Sequence, residues 1–338
     1  MSPFGDRTHM TRRTALAVLT SAGLALAAEH AFPMSAGQPG QDALLKLLPK
    51  FTEKSRAMLR RLLDDPKYGG QISAADAAAL AKLENTSVDQ LMVNLLPLAQ
   101  SYSHAPISNF FVGAVARGAS GSLYTGANIE IPGQCLGFSV HAEQAALSNA
   151  YMHAEPSVPA LAIGGAPCGH CRQFIDEMSP DGEILIVTPS KPPMKLSSIL
   201  PSAFGPAALG MTHGALPVQE TKLALFHDSS DPVATAALDA ASHSYAPYSK
   251  SPAGVAVRSS RGRIYRGSYI ESVAFNPSLS PLQVALAALI AAGETYSAIS
   301  AVTLVEAQDA KISQKAVTGT VLRAIAPEVQ LVVLAART

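Results

Sequence analysis

Two short strings in this sequence carry side chains suited to metal chemistry. His141-Ala142-Glu143 comes first, and Pro167-Cys168-Gly169-His170-Cys171 follows. A Cys-x-x-Cys pair is either part of a metal site or a redox dithiol. Zinc in a catalytic site takes three protein ligands of N and S type and keeps a fourth position for water. His141, Cys168 and Cys171 supply that set. Two cysteines three apart at a helix start face one point, and the helix dipole with its unpaired N–H groups favours their thiolates. Glu143, two residues past the histidine, is not needed for coordination and is free to move a proton. A redox pair would need neither His141 nor Glu143. His170 invites a ligand role, but a fourth protein ligand would close the position that catalysis needs open. Cys135 reads as a buried or loop thiol.

These residues must be held by regular structure. His141 to Met152 and Cys168 to Met178 read as helices, while Phe111–Ala116, Leu123–Ile129, Ala160–Ile163 and Ile184–Val187 read as short strands. Strands alternating with helices predict an α/β layered domain. Ahead of it, from Asp42 to about Leu98, the pattern is helical: Leu44, Leu45, Leu47 and Leu48 open an apolar face that Met58, Leu59, Leu62 and Leu63 continue. Pro66 to Gly70 breaks that run, and Ser73 and Ser87 read as caps of two further helices.

The sequence also repeats. Ala105-Pro106-Ile107-Ser108 returns as Ala246-Pro247-Tyr248-Ser249, and Gly113, Gly126 and Glu130 return as Gly254, Gly267 and Glu271, all at an offset of 141. Ser280–Ile290, Ala298–Val305 and Val329–Leu334 continue the second copy in the same strand, helix, strand order. In it Pro281-Leu282-Gln283 stands where His141-Ala142-Glu143 stands in the first, and no cysteine follows Cys171. The second copy is therefore expected to keep the fold and lose the metal. The organisation reads as an extension over 1–38, a helical segment over 39–100, a catalytic domain over 101–190, a linker over 191–230 and a degenerate domain over 231–338.

The chain of 338 residues, 48% hydrophobic and 15% charged, has ample material for such cores. Its 25 basic and 25 acidic side chains cancel, which argues against a nucleic-acid partner or stable membrane association. In the extension, Arg12-Arg13 precedes the uncharged, mostly apolar stretch Thr14–Ala28, with Ala25-Leu26-Ala27 as a small-residue cleavage pattern. This is the form of a twin-arginine export signal, too short for a membrane span. The alternative is a cytoplasmic protein with a plain extension.

The combination H-x-E…P-C-x-x-C is the known signature of zinc deaminases. With Ile107 to Ala114, Gly126-Ala127-Asn128-Ile129-Glu130 and Arg172-Gln173-Phe174, it makes the chain from about residue 41 onward resemble the large, two-repeat form of the cytidine deaminase family. The resemblance implies a three-layer α/β/α fold duplicated in one chain, a homodimer and one zinc per chain. It implies hydrolysis of cytidine and 2′-deoxycytidine to the uridines with release of ammonia, as in pyrimidine nucleoside salvage. By the same resemblance Asn128 and Glu130 hold the ribose 3′-hydroxyl, Phe110 packs on the base, and Ala142 contacts substrate. Arg172 supports the thiolates. Phe204, Ala274 and Phe275 reach the partner subunit's pocket. Read on their own residues, Asn128 fits a turn, Phe110 a core position, and Arg172 an exposed helix position. A carboxylate at Glu130 would repel a phosphate, which favours a nucleoside over a nucleotide.

Overall fold

The computed structural model describes residues 48–189 and 191–337. The export-like segment and the leucines at 44, 45 and 47 lie outside these residues. The helical segment forms α1 (Glu53–Asp64), a two-residue strand β1 (Gln71–Ile72), α2 (Ala74–Leu83) and α3 (Val88–Gln100). Ser73 and Ser87 cap α2 and α3 as expected, each accepting from the backbone N–H three residues on. The segment is not purely helical: β1 pairs with Tyr124 and Leu123 and extends the first sheet.

The first repeat continues with β2 (Gly113–Arg117), β3 (Leu123–Ala127), α4 (Ala142–Met152), β4 (Ala160–Ile163), α5 (Gly169–Met178) and β5 (Leu185–Thr188). Next come β6 (Lys191–Lys195), a short α6 (Leu196–Ile199) and β7 (Ala224–Leu225). The second repeat has α7 (Pro232–Ser242), β8 (Ala253–Ser259), β9 (Ile264–Ser268), α8 (Pro281–Ala291), β10 (Ile299–Ala307), α9 (Lys315–Ile325) and β11 (Leu331–Arg337). Two mixed sheets result, ordered β1-β3-β2-β4-β5-β6 and β7-β11-β10-β8-β9. Each holds one parallel pair, β4 with β5 and β10 with β11. The stretch read as a linker therefore supplies an edge strand to each sheet, β6 beside β5 and β7 beside β11.

The shared glycines fix the layers. Gly113 pairs with Ala127 and Ala114 with Gly126. Successive residues of a strand face opposite sides, so the two glycines look to opposite faces. A Cβ on Gly113 would strike the backbone of α3 at Gln100, and one on Gly126 the backbone of α4 at Ala146. In the second repeat Gly254 meets α7 at Ala241, and Gly267 meets α8 at Ala285. Each repeat is thus a three-layer α/β/α unit. Helix α4 is buried along almost its whole length, its alanines allowing close approach to the sheet on one side and α8 on the other. One hydrophobic core runs through both repeats, from Leu59 and Leu91 through Leu147 and Phe174 to Leu282 and Leu304.

The two copies differ by a contraction that corrects the sequence alignment. Isolated bridges join Ile129 to Val140 and Ile270 to Leu279, so the loop before the second helix is two residues shorter. In both helices a glutamine side chain at the third position accepts from the backbone N–H of the residue before the helix: Gln144 from His141, Gln283 from Ser280. Ser280, not Pro281, therefore occupies the position of His141, and Leu282 that of Glu143. Neither shifted residue, Ser280 or Leu282, is a His or Cys. The same glutamines tie the repeats together, Gln144 donating to Pro277 O at 3.0 Å and Gln283 to Phe138 O at 3.1 Å.

Candidate metal centre and active site

The two metal-motif strings meet where the starts of α4 and α5 converge. His141 is the residue before α4, and Cys168 the residue before α5. Cys168 Sγ accepts from Cys171 N at 3.4 Å, so the helix start turns both sulfurs toward one point. His141 Nδ1 lies 3.2 Å from Cys171 Sγ and 3.5 Å from Cys168 Sγ. The donor atoms all lie within 4.8 Å of one another, and this is the one such His/Cys/Asp/Glu group among the described residues. Zinc bond lengths of about 2.0–2.1 Å to N and 2.3 Å to S, at tetrahedral angles, put N and S about 3.5 Å apart. The spacing fits the metal.

Electrostatics point the same way. Burial, then Glu143, then Cys168 push the Cys171 thiol far above its ordinary acidity range. A divalent cation bound to the thiolate would reverse that shift. Cys171 is buried while Cys168 is exposed, so the cluster opens on the Cys168 side. Side-chain space beside Gly164, Gly165 and Gly169 is empty. Glu143 sits in the first turn of α4, 7% exposed and beside the Cys171 thiol. His170 packs its ring 5.5 Å from that of His141 and stays outside the donor set. Burial and the neighbouring His141 both lower its pKa.

The expected substrate residues have structural duties. Asn128 Oδ1 accepts from Val112 N at 2.8 Å and from Ser103 Oγ, while its Nδ2 donates to Phe110 O at 2.8 Å. The side chain thereby pins the loop that presents Phe110. Glu130 accepts from Ile107 N at 2.7 Å, Ser108 N at 3.0 Å and Ser108 Oγ. Burial alone would raise its pKa, but these bonds and His104 hold it below the ordinary carboxylate range. Its counterpart Glu271 accepts from Tyr248 N and Ser249 N in the second repeat. This loop clamp is therefore architecture common to both copies. Each side chain in the first copy keeps capacity for one more hydrogen bond.

The remaining candidate residues differ in exposure. Phe110 is no core residue: it is 59% exposed, as are Phe204 at 52% and Phe275 at 65%. Arg172 is not simply exposed. Its guanidinium donates to Pro167 O at 2.9 Å and Ile199 O at 2.8 Å, bracing the Cys168 loop through carbonyls. Ala142 is fully buried, with its carbonyl packed against Gly126. Cys135 is an exposed loop thiol. Sequence reasoning assigned no role to Glu177, which is fully buried on α5 and accepts from Tyr245 OH, Tyr248 OH and Val273 N.

Comparison with known proteins points to one family. Two family models of the cytidine and deoxycytidylate deaminase zinc-binding region match residues 86–187 and 196–319. A cytidine deaminase of Vibrio atlanticus is 41% identical over 83% of this chain and 94% of its own length. One of Vibrio parahaemolyticus is 44% identical over 79% of this chain and 90% of its own. The crystal structure of the cytidine deaminase from Mycobacterium tuberculosis aligns over 34% of this chain and 96% of its own, at 31% identity and a TM-score of 0.32.

Proposed function

We propose the chemistry of the site from one premise: this chain belongs to the cytidine and deoxycytidylate deaminase family. It is a zinc-dependent enzyme that deaminates cytidine by hydrolysis. The observation that carries the assignment of roles is the convergence of His141 Nδ1, Cys168 Sγ and Cys171 Sγ on one point with Glu143 beside them. His141, Cys168 and Cys171 hold the metal. When bound, zinc supplies the Lewis acidity that makes a water ionisable near neutral pH.

Glu143 moves the protons. Its carboxylate takes one from the attacking water as oxygen adds at C4 of the base, and delivers it to ring N3. It then takes the proton of the new hydroxyl and passes it to the amine. The C4–N bond breaks, ammonia leaves, and the carbonyl of uridine forms. Burial of Glu143 keeps bulk water from competing for these protons. Asn128 and Glu130 each offer one further hydrogen bond, to the 3′-hydroxyl. Cytidine and 2′-deoxycytidine share that hydroxyl, so the site accepts both sugars.

The assembly is a homodimer with one zinc per chain. Support comes from Ser280 and Leu282, which give the second repeat no ligand and no acid, and from two exposed aromatic side chains, Phe204 and Phe275, that a second copy would cover, while exposed Phe110 is left to pack on the base. Among the described residues no helix is long and apolar enough to cross a membrane. The pair Arg12-Arg13 favours export by the twin-arginine route. Changing both to Lys would then leave the precursor in the cytoplasm, and native protein found only there with residues 1–27 intact would overturn that route. Steady-state turnover of both nucleosides, with zinc content and mass in solution on the same preparation, tests the rest of the reading.

A further inference from the structure

The loop that carries Phe275 is held at both ends by the helices that carry the metal ligands. At one end Val273 N donates to Glu177 Oε2 at 2.7 Å, and Glu177 lies on α5 with Cys171. At the other end Pro277 O accepts from Gln144 Nε2 at 3.0 Å, and Gln144 lies on α4 beside His141. Between them Phe275 has a left-handed backbone, φ +62°, and its ring is exposed. A non-glycine residue keeps that conformation when its surroundings impose it. Here Phe275 N donates to Ser272 O and Ser278 N donates to Phe275 O, a tight turn whose two ends are the clamped residues' neighbours.

The second repeat's loop and its counterpart in the first separate shared architecture from something added. Gln283 bonds Phe138 O as Gln144 bonds Pro277 O, so the glutamine tie is common to both copies. The carboxylate tie is not. Where Val273 N donates to buried Glu177, the residue at the shared offset of 141 is Pro132, which has no N–H to donate, and the turn bond from Gln134 N to Ile131 O matches the one from Phe275 N to Ser272 O. Glu177 also fixes its own position with two phenols, Tyr245 OH at 2.7 Å and Tyr248 OH at 2.6 Å, and the Tyr248 ring lies 6.5 Å from that of Phe275. A buried carboxyl group that accepts from three donors is a specific anchor.

We propose that Glu177 is a positioning residue that sets Phe275 from the metal-bearing helix α5, so that the aromatic closes the base pocket of a second copy. The inference rests on the homodimer reading, in which Phe275 reaches the partner's site. Glu177 touches no reacting atom. It acts on how tightly the base is held, and its signature is a change in KM at constant metal content.

The test is a double-mutant cycle on the intact zinc enzyme, with Glu177→Gln, Phe275→Ala and the pair. Glu177→Gln should keep full zinc and nearly native kcat, and raise the KM for cytidine about tenfold, the mark of lost uniform binding. In the Phe275→Ala background the same change should add almost nothing, because both act through one contact. Tyr248→Phe, which keeps the ring and removes one donor to Glu177, should raise KM in the same direction by less, and serves if Glu177→Gln does not fold. A native KM in Phe275→Ala would remove Phe275 from the pocket and overturn both the reading and this inference. A raised KM there, with Glu177→Gln and Tyr248→Phe silent or the two effects multiplying, would leave Phe275 in the pocket and overturn the positioning role alone.

Discussion

Replacing Glu143 by Gln separates proton transfer from everything else this site does. The amide has nearly the volume of the acid, so the packing of a side chain only 7% exposed is kept. The metal donors His141, Cys168 and Cys171 are untouched. The anionic crowding that pushes the Cys171 thiol up is reduced, so zinc should be held at least as well. Loss of a carboxylate from the first turn of α4 weakens a helix-dipole interaction worth about 0.3–1 kcal/mol, which is the scale of any change in stability. Turnover responds on a different scale. A positioned proton-transfer group contributes roughly 10²–10⁴-fold per step. At 1.36 kcal/mol per factor of ten, loss of even one of the two steps assigned to Glu143 costs about 3–5.5 kcal/mol of transition-state stabilisation. The assay pairs cytidine turnover with elemental zinc and thermal melting on one sample. The expected outcome is full zinc, near-native melting and a fall in kcat of at least about a hundredfold. Full zinc with turnover within about tenfold of the native enzyme would take Glu143 out of the mechanism.

Cys168→Ala and Cys171→Ala should each lose metal and activity together, whereas a redox dithiol would show a reversible disulfide in active, zinc-free protein; thiol titration with zinc analysis decides. Gly126→Ala should destabilise the fold by about 1–3 kcal/mol or more, read by denaturant unfolding, because the new methyl meets α4 backbone. Asp176 is buried with Oδ2 lacking a partner among the described residues, and burial, then Glu177 and Asp181, push it up to about 6. An acid raised in the folded state destabilises as pH climbs through that value, so Asp176→Asn should raise the melting temperature at pH of about 7.5 and do little near pH 4. Glu130 has the opposite sign: its pKa is lowered, so its stabilisation is lost as pH falls through the folded value, and Glu130→Gln should flatten that acid limb. Truncation after Thr188 should abolish turnover, since the core that runs from Leu147 to Leu282 is cut open.

The metal site was legible because its chemistry restricts residue type. Few side chains replace His141, Cys168, Cys171 and Glu143, so their order alone was informative. The duplication was legible for a steric reason, since Gly113, Gly126 and their counterparts Gly254 and Gly267 lie where any Cβ meets helix backbone. The contraction before α8 was missed because a constant offset was carried across a loop. The glutamine shared by Gln144 and Gln283, each accepting from the residue before its helix, held the signal that would have placed Ser280 correctly. Strand β1 is two residues long and exists only through its pairing with β3, which no local pattern announces. Glu177 was invisible for the same reason. Its neighbours Phe174, Ile175 and Met178 read as an ordinary buried helix face, and its partners lie 68, 71 and 96 residues away. Buried polar groups are satisfied by tertiary partners, and such partners have no period in sequence.

Zinc stoichiometry measured with cytidine turnover on one purified preparation, before and after chelation, bears most directly on the whole account. The account predicts one zinc per chain, ammonia and uridine formed in equal amounts, activity lost with the metal and restored by zinc. Full activity in metal-free protein, or two zinc ions per chain, would contradict it.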